Sequence, residues 1–122
     1  MVVGVGVDLV DIARFERALE RTPKLRDRLF GPLDVSQPDI SSQSLAARFA
    51  AKEAGIKALG GNIPGFSWHD IQIQGARGEQ PRLVLSGGAS EHASAQGIVS
   101  HHVSLSHDAG MAIAFVVMED AS

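Results

Sequence analysis

Apolar and polar positions along the chain alternate in two different periods, and the switches between them divide it into elements. Val2 to Val7 alternates valine with Gly4 and Gly6, which predicts a strand whose small residues let a neighbouring backbone come close; Asp8 is expected to end it. Asp11 is a good N-cap for a helix over residues 12 to 21, with Ile12, Phe15 and Leu19 turned to the core and Arg14, Arg17 and Arg21 on the outer face. Thr22-Pro23 stops that helix and starts a short one reaching Phe30. Residues 31 to 42, with Pro32, Pro38, Ser36, Ser41 and Ser42, read as a mobile loop in which Ser41 or Ser42 caps the next helix.

That next helix carries the main anomaly of the chain. At ~100° per residue, Leu45, Phe49, Lys52, Ile56 and Leu59 form one stripe, so Lys52 occupies an apolar position. Ala46, Ala47, Ala50, Ala51, Ala54, Gly55 and Ala58 offer a smooth face for close packing instead of the usual solvated mixture of Glu and Lys. Only Arg48, Lys52, Glu53 and Lys57 break this surface. Burying an unpaired charge costs several kcal/mol, so these four are expected to face a polar pocket with a charged ligand.

Gly60-Gly61-Asn62 and Pro64-Gly65 end the helix. Trp68 to Gln74 and Arg82 to Ser86 read as strands joined through a turn at Gly78-Glu79-Gln80-Pro81, followed by a short Ala/Ser helix over residues 90 to 96. Val103 to His107, then Asp108-Ala109-Gly110, then Met111 to Met118, read as a β-hairpin. The order indicates an α+β fold with a largely antiparallel sheet, in one domain spanning residues 1–122.

Composition narrows the class. The absence of cysteine removes disulfides, thiolate nucleophiles and zinc clusters and suits the cytosol. No apolar run is long enough to span a bilayer, so no membrane role is expected. A net charge of −3 argues against general nucleic-acid binding. Yet Arg14, Arg17, Arg21, Lys24, Arg26 and Arg28 cluster against only Glu16, Glu20 and Asp27, which suggests an acidic partner, or simply a solvated face.

Asp8 and Glu53 are the candidate metal ligands, since Mg²⁺ prefers hard oxygen donors and two carboxylates leave positions for water and phosphate. The plainer alternative has Asp8 capping backbone N–H groups and Glu53 forming an i,i+4 pair with Lys57. Arg48, Lys52 and Lys57 add donors suited to phosphate oxygens. In the hairpin, His102, Ser104 and Ser106 share one strand face while His107 lies beside the turn. Contiguous Ser106-His107-Asp108 does not make a catalytic triad, because adjacent strand residues point to opposite faces. Gly4-Val5-Gly6 is not a dinucleotide fingerprint, because Leu9 replaces its third glycine. His69, His92 and His101 have no ligand spacing and are expected at surfaces or strand edges.

Three segments together, Gly4-Val5-Gly6-Val7-Asp8-Leu9-Val10, Arg48-Phe49-Ala50-Ala51-Lys52-Glu53-Ala54 and Leu105-Ser106-His107-Asp108, resemble the holo-[acyl-carrier-protein] synthase family of short bacterial phosphopantetheinyl transferases. The resemblance covers nearly the whole chain, with the motifs in the family's order. It implies the 4′-phosphopantetheinyl transferase fold, with the sheet packed on a long central helix, and a homotrimer with sites between subunits. The implied activity moves the 4′-phosphopantetheine arm of coenzyme A to a serine of an acidic apo-acyl-carrier protein, in fatty acid biosynthesis, releasing adenosine 3′,5′-bisphosphate.

By the same resemblance, Asp8 and Glu53 bind Mg²⁺, and Arg48, Lys52, Lys57, Ser106 and His107 surround the phosphates, with Lys52 protruding into the cleft. The serine proton goes to a metal-associated water, to Glu53 or to Asp108, and Lys57 is a candidate acid for the leaving phosphate. Arg14, Arg17 and Arg21 match the docking helix for the carrier, and the turn from Gly78 to Arg82, supplied by a neighbouring subunit, contacts the adenosine end. The segment after Leu29-Phe30 departs from the acidic helical continuation common in the family. Two other readings use the same residues: a phosphohydrolase that admits water, and a non-catalytic carrier-binding or nucleotide-binding module.

Overall fold

In the computed structural model, which describes residues 1–76 and 78–122, three strands form the main antiparallel sheet. These are β1 (Val2–Asp11), β4 (Ile98–Asp108) and β5 (Met111–Asp120), with β5 in the centre. The helices are α1 (Ile12–Arg21), α2 (Leu25–Leu29), α3 (Ser42–Ala58) and α4 (Gly87–Ala95). A second antiparallel pair, β2 (Ile71–Gln74) and β3 (Arg82–Leu85), follows a single 3-10 turn at Trp68–Asp70. Among the described residues no helix is long and apolar enough to cross a membrane.

The alanine face of α3 lies directly on β1 and β5. A Cβ on Gly4 would stand 1.9 Å from the Ala58 carbonyl oxygen, and one on Gly6 would stand 1.8 Å from that of Ala54, so only glycine permits this approach. Ala50, Ala51, Ala54 and Ala58 pack with Ala114, Val116 and Met118 of β5 and with Ile71 and Ile73 of β2. A second cluster, around Phe15, Leu29, Phe30, Leu45 and Ala112, seats α1 and α2 against the start of α3. The Phe15 and Phe49 rings stack there at 5.0 Å.

Caps occur where side-chain chemistry predicts them. Asp11 accepts from Arg14 N at 3.0 Å, and the Ser41 hydroxyl accepts from Ser44 N at 3.1 Å. The β4–β5 turn is Ala109-Gly110, with φ of 51° and 76°, the left-handed pair that matches the twist of a tight hairpin. At the other end of α3, His92 Nε2 and Gln96 Nε2 both reach the Leu59 carbonyl.

Three expectations need correction. Asp8 does not end β1: the ladder with β5 continues from Asp8 opposite Ala114 to Asp11 opposite Met111. Trp68 to Asp70 is not strand, because Ser67 and Asp70 form a reciprocal capping box that closes a 3-10 turn. The 31–42 segment is no untethered loop, since Leu33 N, Asp34 and Gln37 bond to Gln72, Ile73 and Gly75.

Candidate functional site

On the outer strand β1, Asp8 meets two residues of α3. Its Oδ1 lies 3.2 Å from Lys57 Nζ, which also donates to the Val7 carbonyl at 3.0 Å. Glu53 stands close enough that burial, then the charge of Asp8, raises the proton affinity of its carboxyl, while Lys57 opposes the shift. Among the described residues no group of three or more His, Cys, Asp or Glu is gathered anywhere. Two carboxylates in mutual repulsion fit Mg²⁺ well, because that ion takes one or two carboxylates and completes its shell with water and phosphate oxygens.

Arg48 leaves α3 about 140° away from Glu53, on the other flank of the helix. It lines a cleft of about 680 Å³ together with Gln43, Gly75, Glu79, Pro81 and His107. Asp8, Glu53 and Lys57 do not line this cleft. Arg48 is only 7% exposed, and its guanidinium donates through Nη2 to the Gly75 carbonyl at 2.9 Å. Its Nε is buried without a partner among the described residues. Burial lowers the proton affinity of Arg48, and the charge of Asp34 works against that shift. On β4, His107 Nδ1 pairs with Gln43 Nε2 at 2.8 Å, leaving the other ring nitrogen available.

Lys52 does not protrude into a cleft. Its side chain is fully buried and its ammonium bonds Asp34 Oδ2 at 2.8 Å, the Trp68 carbonyl at 3.0 Å and the Ile71 carbonyl. Desolvation lowers its proton affinity, and Asp34 partly offsets the effect. The ion Lys52 answers is therefore internal, which is why an apolar stripe can hold it.

The remaining candidates are dispersed. Ser106 pairs with Ile113 on the exposed sheet face, opposite to His107, so strand alternation separates the two residues that the motif placed together. Asp108 is at the hairpin tip, where its Oδ1 accepts from Ala109 N at 2.9 Å. Arg82 donates to Gln74 Oε1 at 3.2 Å and borders a second cleft with His101 and His102. Arg14, Arg17 and Arg21 are exposed along α1, with Phe15 buried beneath them. Asp34 and Gln43 were missed from sequence. Asp34 did leave a signal, an acid flanked directly by Leu33 and Val35 in a segment otherwise short of apolar residues.

Comparison with known proteins matches the sequence and fold of this chain to one family. The holo-[acyl-carrier-protein] synthase of Leifsonia xyli subsp. xyli is 54% identical over 119 residues, covering 98% of each chain. The Neisseria meningitidis holo-[acyl-carrier-protein] synthase structure superposes with a TM-score of 0.86 at 32% identity, covering 98% of this chain and 100% of that one. The Helicobacter pylori holo-[acyl-carrier-protein] synthase, solved in complex with coenzyme A, gives 0.81 at 38% identity, covering 94% and 99%. With the family model matching residues 4–115 as well, this chain belongs to the 4′-phosphopantetheinyl transferase superfamily.

Proposed function

We propose that this protein transfers the 4′-phosphopantetheine arm of coenzyme A to a serine hydroxyl of an apo-acyl-carrier protein in fatty acid biosynthesis, releasing adenosine 3′,5′-bisphosphate. The observation that carries this reading is the division of the charged residues into two complementary halves: two carboxylates and an ammonium beside β1, and a buried guanidinium with a histidine in the cleft beside β4. A pyrophosphate with a distant third phosphate, bound across both, would offer anionic oxygens to Arg48 and His107 on one side and to Lys57, already paired with Asp8, on the other.

The halves support a site shared between subunits, in the ring of three that the family resemblance implies. One face of the main sheet exposes Val3, Val5, Val7 and Leu9 of β1 with Ile113 and Phe115 of β5, a patch that a neighbouring subunit would cover. A heterologous, closing contact would set the β1 flank of one subunit against the β4 flank of the next. Because Gly78, Glu79 and Pro81 line the same cleft as Arg48 and His107, all of these would reach a given site from the neighbouring chain.

Asp8 and Glu53 would hold Mg²⁺, which when bound neutralises charge on the diphosphate. Arg48 and His107 bind nucleotide phosphate oxygens and fix the donor, so that the serine oxygen lines up with the phosphorus bearing the pantetheine arm. Lys57 stabilises the leaving phosphate and donates a proton to it. Glu53, on the same flank as Asp8 and Lys57, would accept the serine proton in preference to Asp108, which is occupied by its own turn. Arg14, Arg17 and Arg21 dock the acidic carrier and speed its association.

The test is incubation with coenzyme A, Mg²⁺ and an apo-carrier. A phosphopantetheine mass gain on the carrier serine is expected. Coenzyme A cleavage with an unmodified carrier would replace transfer by hydrolysis, and binding without turnover would leave a non-catalytic module.

A further inference from the structure

Residues 37 to 41 wall one side of the cleft, and the fastening of that wall can be traced bond by bond. Leu33 N donates to Gln72 Oε1 at 2.8 Å, Ile73 N donates to Asp34 Oδ1 at 2.7 Å, and Gln37 Nε2 donates to the Gly75 carbonyl at 2.6 Å. The segment is thus tied by side-chain hydrogen bonds along β2 and to Gly75 just past it. The Gly75 carbonyl is shared, because Arg48 Nη2 donates to it as well. Where the segment goes, the acceptor that aims Arg48 is affected too.

Asp34 ties this wall to α3. Its Oδ2 accepts from Gly31 N at 2.8 Å and from Lys52 Nζ at 2.8 Å, and the other two protons of Lys52 go to the Trp68 and Ile71 carbonyls. Asp34 is 1% exposed and Lys52 not at all. Three ammonium protons meet three acceptors, and both carboxylate oxygens are used. A buried pair of this kind is a poor source of stability compared with apolar residues of equal volume. What a fully satisfied network supplies is one geometry, and here that geometry joins the loop, β2 and α3. The same carboxylate also sustains the charge of Arg48 against desolvation.

We propose that Asp34, acting through Lys52, is a positioning residue for the coenzyme A cleft: it fixes the wall formed by residues 37 to 41 and the aim of Arg48 without touching substrate. The inference rests on the coenzyme A reading of that cleft.

Coenzyme A is titrated calorimetrically into the parent protein and into Asp34→Asn, Lys52→Met and the double variant, each checked by near-ultraviolet circular dichroism and well below its own Tm. Each single variant should bind coenzyme A about tenfold more weakly with the KM for carrier nearly unchanged. The double variant, which removes the Asp34–Lys52 ion pair as a whole, should recover part of the lost Tm but not the affinity. A folded variant that binds coenzyme A like the parent, or a double variant that recovers both, overturns the proposal. If no variant folds, hydrogen exchange on the parent decides. Coenzyme A should slow the amides of Gly31 and Leu33, neither of which lines the cleft, and unchanged rates count against the coupling. A parent that binds no coenzyme A would refute the proposed function instead.

Discussion

If one site is assembled from two chains, two inactive variants should repair each other. Glu53→Gln removes a carboxylate from the β1 flank, and Arg48→Gln removes the cationic charge from the cleft while keeping an amide to reach the Gly75 carbonyl. Each alone should lower kcat/KM by about a hundredfold or more, the usual loss when a preorganised electrostatic partner is removed. Within one chain the halves stand on different flanks of α3. Asp8 lies opposite Ala114 and Ala114 opposite Leu105, so β1 and β4 are two ladder spacings, or about 10 Å, apart, with His107 two residues further on. In a closed ring, each site draws its carboxylates from one chain and its arginine from the next. Random equimolar mixing then leaves both halves intact at about one site in four, so the mixture should recover roughly a quarter of parental activity. The assay is carrier modification followed by mass spectrometry after co-refolding the two variants, with each refolded alone as control. Activity no greater than the mean of the controls would show that both halves act within one chain, and the ring argument would fall.

The other predictions concern packing, titration and assembly. Gly6→Ala places a methyl 1.8 Å from the Ala54 carbonyl, so β1 must retreat by about 1.5 Å to reach an ordinary contact. At ~1–3 kcal/mol of overpacking, Tm should fall by roughly 4–10 °C, and displacement of Asp8 should cost about a hundredfold in kcat/KM; parental values would refute the β1–α3 contact. Glu53 binds its proton more tightly in the folded state, so its contribution to stability falls as pH rises from the ordinary glutamate range through its raised value. Glu53→Gln should therefore raise Tm at neutral pH in the presence of chelator and leave it unchanged in acid, while a lower neutral Tm would contradict the sign of the shift. Phe115→Glu, at a residue 45% exposed in the single chain, should leave circular dichroism intact and reduce the mass by light scattering from that of the proposed trimer to a monomer; an unchanged mass would exclude that face as the contact.

Most of the elements were legible because their causes are local. Asp11 and Ser41 cap by reaching three residues ahead, and the alternation of Gly4 and Gly6 with valines marks a strand under a close neighbour. The end of β1 was not legible, because pairing with β5 past Asp8 depends on a partner more than a hundred residues away. The capping box at Ser67 and Asp70 was in the sequence and was overridden by the alternation that follows it.

For the candidate site, the motifs named residues but not the flanks on which they stand. Arg48 and Glu53 are five positions apart, and that spacing alone places them about 140° apart on a helix, on different flanks of α3. Ser106 and His107 are adjacent, and adjacency on a strand means opposite faces; the motif that unites them in sequence divides them between the exposed sheet face and the cleft. Lys52 shows the converse. Its place in the apolar stripe already said that it is buried, and a buried ammonium demands a counter-ion. The phosphate was one candidate for that counter-ion and Asp34 was another, and only the tertiary path of residues 31 to 41 brings Asp34 to within 2.8 Å. The charges that break the surface of α3 thus divide by flank: one balanced inside the protein, one buried and facing a cleft, and two held at the strand edge beside Asp8.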